Sequence, residues 1–454
     1  MNFNRAHKPS TEKEISFSLP EIKKFNLSCG LKVILVEKNE LPIVRFNLIV
    51  NAGSKTDPVN HKGLANLFSM TLDEGAGNYN SVELSDEFDL LGTVFNIKTS
   101  QDNFQLVMQT LKENFDRSLE LFFTVINNPL FDKKDFEREQ RKVLTRILQR
   151  KDHPDLIADN VFEYVLYGKE NPYAFPVSGL KEDVEKLTID QIKHYYKKYF
   201  TPNNSALIVV GNINEDELNK KLYLYTPEWK AADAVNYDIK NINQYNGRIF
   251  LIHRENAPQS EIRVGHLSSK MDYENYHRKN ILNTILGGQF SSRINLNLRE
   301  KRGYTYGAYS AFNYYTDAAF FYVSTSVNTE NTINAVKEIM SELKNILNGV
   351  TKEELEFAKS SQIRKFPSGF ETYGQIASNI SRQVIYSLPE DYFEKYLDDV
   401  NSVSLDAVND AAAANILPSN ADIVIVGNKN ILKDQLKELN MGEAIELDEN
   451  GVVL

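Results

Sequence analysis

Arg299 and Tyr306 stand in the stretch Gly287-Gly288-Gln289-Phe290-Ser291-Ser292-Arg293-Ile294-Asn295-Leu296-Asn297-Leu298-Arg299-Glu300-Lys301-Arg302-Gly303-Tyr304-Thr305-Tyr306-Gly307. The glycine pair is expected to end one helix, a second helix carries Arg293 and Arg299, and Gly303 turns the chain into a strand beginning at Tyr304. Arg299 and Tyr306 then face each other across that corner. A guanidinium beside a phenol makes two donors suited to a carbonyl or a developing oxyanion. Side-chain chemistry alone favours a plainer arrangement, with Arg299 paired to a neighbouring acid and Tyr306 filling a core.

Metal chemistry has little to work with. The histidines are His7, His61, His153, His194, His253, His266 and His277, and no two stand three to five residues apart. A helical or hairpin pair of zinc ligands is therefore absent from the sequence. Cys29 is the only cysteine, which excludes an intrachain disulfide and a cysteine-based zinc site.

The elements that position these residues come in two copies. Leu187-Thr188-Ile189-Asp190-Gln191 recurs as Val403-Ser404-Leu405-Asp406-Ala407, and the Pro202–Asn212 segment, ending Ile208-Val209-Val210-Gly211-Asn212, recurs from Pro418 to Ile425-Val426-Gly427-Asn428, with one offset and no gap. Each copy reads as a hydroxyl-capped helix, a proline stop and an apolar strand ending at Gly-Asn. Charged helices opening at Asp132 and at Thr351, the latter with a Thr351/Glu354 capping box, extend the correspondence. Asn80 and Glu83 form another capping box, with Gly92 as the helix stop. The halves are placed at 1–226 and 246–454, joined by a linker over 227–245 that is poor in core residues. Strands such as Lys32–Val36 and Val44–Val50 cluster before helices. That order predicts an α+β fold of two homologous sandwich halves, each a mostly antiparallel sheet with helices on one face, enclosing a central cavity.

Composition bounds the function. A chain of 454 residues with 42% hydrophobic and 25% charged residues is an ordinary globular protein of more than one domain. A net charge of -10 argues against nucleic acid as a partner. No run of apolar residues is long enough to cross a membrane, and Met1–Ser10 lacks the apolar stretch of a secretory signal. The sequence therefore reads as cytoplasmic, with a periplasmic location as the alternative.

The 287–307 stretch resembles the G-G-x-x-x-S-R-L-x-x-x-L-R-E-x-x-G-L-x-Y signature of the pitrilysin/insulinase/mitochondrial-processing-peptidase family. Gly287, Gly288, Ser292, Arg293, Leu298, Arg299, Glu300, Gly303 and Tyr306 match, while Ile294 and Tyr304 replace leucines. Leu27-Ser28-Cys29-Gly30-Leu31-Lys32-Val33, Asn51-Ala52-Gly53-Ser54 and Asn127-Asn128-Pro129-Leu130-Phe131 are similar to three further family segments. Active members carry the inverted zincin motif H-x-x-E-H, two histidines binding Zn²⁺ around a glutamate that activates water. In Gly63–Met70 those positions read Asn66, Ser69 and Met70.

The resemblance implies a non-catalytic subunit with no zinc of its own. The family's third ligand falls on Glu137, which cannot hold the metal alone. Arg299 and Tyr306 are implied to bind the substrate carbonyl in trans, at the zinc of a homologous H-x-x-E-H partner. A homodimer is the implied state where that partner is absent. Peptide addition along Gly92–Ser100, around Asn96 and Ile97, is implied too, although its alternation also describes a plain core-facing strand. The competing reading is an inactive peptide-binding or scaffold protein of the same fold, comparable to the core subunits of respiratory complex III. A zinc hydrolase built from His61, Glu137 and a distant histidine is a third.

Overall fold

A computed structural model describes residues 19–232 and 247–454. His7, Met1–Ser10 and most of the 227–245 linker lie outside the described residues. The first half runs β1 (Ile22–Asn26), β2 (Lys32–Glu37), β3 (Ile43–Val50), α1 (Leu64–Thr71), α2 (Ser81–Leu90), β4 (Val94–Thr99), β5 (Phe104–Leu111), α3 (Phe115–Asn127), α4 (Lys133–Arg150), α5 (Pro154–Tyr167), α6 (Lys181–Val184), α7 (Ile189–Tyr199), β6 (Ser205–Gly211) and α8 (Glu215–Tyr225). The second runs β7 (Ile249–His253), β8 (Gln259–Leu267), α9 (Tyr273–Leu286), α10 (Arg293–Asn295), β9 (Ala308–Tyr314), β10 (Ala319–Asn328), α11 (Thr332–Asn345), α12 (Lys352–Lys365), α13 (Tyr373–Ile385), α14 (Tyr392–Ser402), α15 (Leu405–Asn415), β11 (Asp422–Gly427), α16 (Lys429–Gln435) and β12 (Ile445–Leu447).

The strands form two six-stranded sheets, ordered β1-β2-β6-β3-β5-β4 and β12-β7-β11-β8-β10-β9. Antiparallel pairs predominate, as in Phe46 opposite Met108 and Leu48 opposite Leu106. The repeat is structural as well as sequential. Thr188 and Ser404 cap α7 and α15, and β6 and β11 hold the same place in their sheets. The outer strands break the symmetry, since β1 joins β2 antiparallel whereas β12 joins β7 parallel.

Strand periodicity shows why the two halves are inseparable. Leu207 and Val209 of β6 enter the core formed with their own helices, while Ile208 and Val210 enter a second core with Phe370, Tyr373, Ile376 and Ile380 around α13. The second sheet answers in kind. Ile423 and Ile425 of β11 face their own helices, and Val424 and Val426 face Ile157, Val161 and Phe162 of α5. Helices thus lie on one face within each half, and the other face is covered by a helix from the opposite half. An apolar strand with both faces buried is what the Leu207–Val210 run requires. Removing the Phe162 ring from this clasp is worth about 3–5 kcal/mol.

Hairpin tips add a polar seam. The Lys55 Nζ lies 3.1 Å from Asp102 and 3.1 Å from Asp317, and Thr316 Oγ1 donates to Asp102 at 2.6 Å. Tyr173 donates its hydroxyl proton to the same carboxylate at 2.6 Å. A cavity of about 420 Å³ opens along this seam. No helix among the described residues is long and apolar enough to cross a membrane.

Candidate functional site

Two polar regions, one in each half, hold the residues singled out above. In the first, Gly63 enters α1 with φ +101°, where a Cβ would stand 2.8 Å from the Ser178 carbonyl oxygen. Asp57 caps the helix start, its carboxylate accepting from the N–H groups of Gly63 at 2.7 Å and Ala65 at 2.8 Å. Burial pushes the Asp57 carboxyl up to about 7, against the pull of these N–H groups and of Lys62. Leu64, Ala65, Leu67 and Phe68 anchor the buried face, with Phe68 among Phe104, Tyr195 and Phe200.

That anchoring leaves Asn66 and Met70, one turn apart, on a half-buried face. Asn66 Nδ2 donates to the Met70 sulfur at 3.8 Å, and Ser69 Oγ donates to the Asn66 carbonyl at 2.8 Å. Thr99, at the end of β4, donates to the Ser69 hydroxyl. The group that α4 brings to this face is Arg146, whose Nη1 donates to the Met70 sulfur at 3.6 Å. Glu137 lies nine residues earlier, about 13 Å along the same helix. It sits half exposed beside Lys133, 3.8 Å away. The structure thus brings Asn66, Ser69, Met70 and Arg146 together and leaves Glu137 outside the cluster.

These residues do not fit zinc. The metal takes imidazole, thiolate or carboxylate, and an amide, a hydroxyl and a thioether supply none of them. A guanidinium at the fourth place repels a dication. Nor do His61 and Glu137 converge; His61 instead borders a cavity of about 310 Å³ with His194 and Asp190.

Beside α1, β4 is the outermost strand of its sheet among the described residues, paired there with β5 alone. Its outward side chains are exposed and its inward ones half buried. Asn96 is exposed, whereas the Ile97 side chain packs onto the first core. An added peptide strand would meet the β4 backbone and Asn96, and the Ile97 side chain is unavailable to it.

The second region begins where α9 ends. Gly287 accepts from Ser310 N at 3.0 Å, an approach that leaves no room for a Cβ, which would fall 2.4 Å from Ser310 Oγ. Arg293 is fixed by two bonds to Glu354, at 2.6 and 2.7 Å, and Glu354 also closes the capping box of α12 with Thr351. Residues Leu296–Lys301 continue α10 as a π-helix, with the N–H of Arg302 bonded to the Asn297 carbonyl at 3.0 Å. Wide turns of this kind are frequent at functional sites.

The next strand starts at Ala308, not at Tyr304. Side-chain bonds compete with the ladder here: Thr305 Oγ1 donates to the Gly307 carbonyl at 2.9 Å and accepts from Gly307 N at 3.0 Å. Thr325 donates to the same carbonyl at 3.0 Å, and Asn295 Oδ1 accepts from Ala308 N at 3.0 Å. Tyr306 protrudes from this braced loop, 94% exposed, so it fills no core. Arg299 stacks over the exposed Phe290 ring at 4.3 Å and lies 3.6 Å from Glu300. Among the described residues no hydrogen bond joins Arg299 to Tyr306, and each donor is left to its own surroundings.

Two features escaped the sequence reading. Arg146 carries no motif, although it flanks the buried α4 stripe of Glu139, Val143 and Ile147. Its meaning depends on α1 lying across α4. The π-helix is likewise invisible to a period count based on 3.6 residues.

Comparison with known proteins supports one lineage. Residues 32–171 match the family model described as insulinase (peptidase family M16), and residues 186–362 match the peptidase M16 inactive domain. A Helicobacter pylori protein described as non-peptidase homolog YmxG is 24% identical across 87% of this chain and 92% of its own length. The uncharacterized zinc protease YmxG of Bacillus subtilis is 22% identical across 86% of this chain and 95% of its own. The crystal structure of a peptidase M16 inactive domain from Pseudomonas fluorescens has the same fold, with a TM-score of 0.84 at 24% identity over 90% of this chain and 98% of that one. With two models of one family spanning most of both halves, this chain belongs to the insulinase, or M16 peptidase, family.

Proposed function

We propose that this chain is a non-catalytic subunit that completes the active site of a homologous zinc peptidase. Its own α1 carries no zinc ligand and no general base. The observation that carries the reading is the presentation of Tyr306, with its ring in solvent on a loop held by four hydrogen bonds. A loop braced by its neighbours, with the phenol left over, is arranged for an external acceptor. Arg299 lies in the same segment with its guanidinium on Phe290, pre-positioned to donate to a carbonyl. The partner is an H-x-x-E-H chain, which supplies Zn²⁺ and the water-activating glutamate, and the substrate is a peptide. The relative described as a non-peptidase homolog supports the non-catalytic part of this reading.

The test is reconstitution. Neither this chain nor its partner alone is expected to cleave a fluorogenic peptide efficiently, and the mixture is expected to do so. Removing one donor to a developing oxyanion costs about 3–4 kcal/mol. Arg299→Ala or Tyr306→Phe is therefore expected to lower kcat/KM by roughly 100-fold or more. A reconstituted pair indifferent to both substitutions overturns the assignment.

A second reading is favoured by Arg146. A cation beside the open β4 edge suits a chain that holds a peptide without cutting it. Peptide binding by this chain alone, weakened by Arg146→Gln and untouched by Tyr306→Phe, selects that reading.

A further inference from the structure

Away from both regions, α9, α12, α13 and α14 surround a cavity of about 430 Å³ in the second half. Its volume falls in the range of small-molecule sites, roughly 300–1,000 Å³. The charges around it are one-sided. Arg382 and Lys365 line it, and no aspartate or glutamate does. The whole chain carries a net charge of -10, so a purely cationic lining runs against its composition.

Arg382 is half buried, and among the described residues no carboxylate lies within ion-pair distance of it. Its guanidinium lies over the Tyr276 ring at 4.8 Å. A buried guanidinium normally takes a carboxylate, since desolvation is otherwise uncompensated. The rest of the wall is flat and aromatic. Tyr392 and Tyr396 stand one turn apart on α14, and Phe366 stacks on Tyr396 with ring centroids 4.2 Å apart. Gln362 also lines the cavity, its amide nitrogen donating to Thr284 at 3.1 Å.

We propose that this cavity binds a small planar organic anion: an aromatic or conjugated ring that carries a carboxylate, sulfonate or phosphate. The anion pairs with Arg382 and Lys365, and the ring lies among Tyr276, Tyr392 and Tyr396. Such a site takes its specificity from a few polar groups in an otherwise aromatic pocket. The proposal is independent of the roles given to Arg299 and Tyr306.

The probe is 1-anilinonaphthalene-8-sulfonate, which combines a sulfonate, fused rings and one N–H. Its neutral counterpart, N-phenyl-1-naphthylamine, keeps the rings and the N–H and lacks the charge. Titrated into the full chain, the sulfonate dye is expected to saturate at one site and to bind at least 10-fold more tightly than the neutral dye. Arg382→Gln is expected to weaken it about 10-fold or more, as loss of a charge-assisted bond does. Lys365→Gln, at an exposed position on the rim, is expected to weaken it by about 3-fold and to weaken further in salt. Near-ultraviolet circular dichroism checks that each variant keeps native packing. If Arg382→Gln fails to fold, the rim variant and the neutral dye decide the matter. Indole-3-acetate and adenosine 5′-monophosphate then compete with the dye, and displacement by one identifies a carboxylate or a phosphate as the preferred anion. Unsaturable dye binding, equal affinity for the two dyes, indifference to Lys365→Gln, or displacement by neither competitor overturns the proposal.

Discussion

The two polar regions differ in where their hydrogen bonds go. Around α1 the side chains close on one another: Asn66 and Arg146 both donate to Met70, and Thr99 donates to Ser69. Around Tyr306 the bonds are made by the backbone and by Thr305, Thr325 and Asn295, so the Tyr306 side chain is left over. The first region is a complete scaffold whose chemistry is consumed internally. The second spends its bonds on presentation. The two regions therefore differ less in residue types than in which groups their bracing leaves unsatisfied.

The strongest way to break this contrast is to restore the first region. Asn66→His, Ser69→Glu and Met70→His together supply two imidazoles and a base on the face that α1 already exposes. With Arg146 still present the site is expected to bind zinc weakly, because a guanidinium occupies the place of the third ligand. Adding Arg146→Glu is expected to tighten binding by at least about 100-fold, more than loss of an outer-shell partner usually costs. Titration calorimetry and metal content after dialysis measure it. Equal affinity of the three-fold and four-fold variants would show that Arg146 does not mark the metal position.

Two arginines on one segment sharpen the contrast within the second region. Arg293 makes a bidentate, partly buried pair with Glu354 and also donates to the Gly349 carbonyl at 3.1 Å. Arg299 has its ring contact and a looser approach to Glu300. Arg293→Ala is expected to cost about 1–3 kcal/mol in chemical denaturation, and Arg299→Ala under about 0.5 kcal/mol. Activity in the reconstituted pair should rank them in reverse order. If Arg299→Ala destabilises the chain as much as Arg293→Ala, its role is structural.

Both regions depend on the clasp that fixes one half against the other. Glu163 of α5 accepts the Tyr315 hydroxyl at 3.0 Å from each oxygen, across the seam. Burial pushes the Glu163 carboxyl up to about 8, with the Tyr315 bond pulling the other way. A raised carboxyl is protonated in the folded state. Its stabilising contribution is complete below the ordinary value near 4.5 and is lost as pH rises through about 8. The unfolding midpoint is therefore expected to fall between pH 5 and 8, a change on the order of a few kcal/mol, and Glu163→Gln to flatten that slope. An unchanged slope in the variant would place the titration elsewhere.

Much of this was legible before the fold was seen. The capping boxes at Asn80 and Thr351, the helix stop at Gly287 and the duplicated strands are local chemistry, and local chemistry reads directly from sequence. Ile208 and Val210 signalled a strand buried on both faces, but nothing in them said that the second cover is α13 of the other half. The same limit governed the sites. Asn66, Ser69 and Met70 share one helix turn and are picked out by the resemblance to the family motif, whereas Arg146 reaches Met70 only because two helices cross. A glycine turn at Gly303 predicts a strand from Tyr304, and the Thr305 side chain delays it to Ala308 by bonding Gly307.

The smallest effect tests the finest distinction, between Glu137 and Arg146 on one helix. Both are charged residues of α4 outside its buried stripe, on opposite faces of the helix, and a resemblance by motif selects the first. Geometry selects the second, since of the two it is Arg146 that touches Met70, where the family motif has a histidine. In the native chain Glu137→Ala removes a half-exposed carboxylate paired loosely with Lys133, and stability is expected to change by less than about 0.5 kcal/mol. In the rebuilt four-fold variant the same substitution is expected to leave zinc affinity unchanged within about 2-fold, because a carboxylate about 13 Å away along the helix is beyond coordination. A loss of zinc on Glu137→Ala would mean that α4 is offset by more than two turns from the register seen here, and would return the third position to the residue that the motif alone suggested.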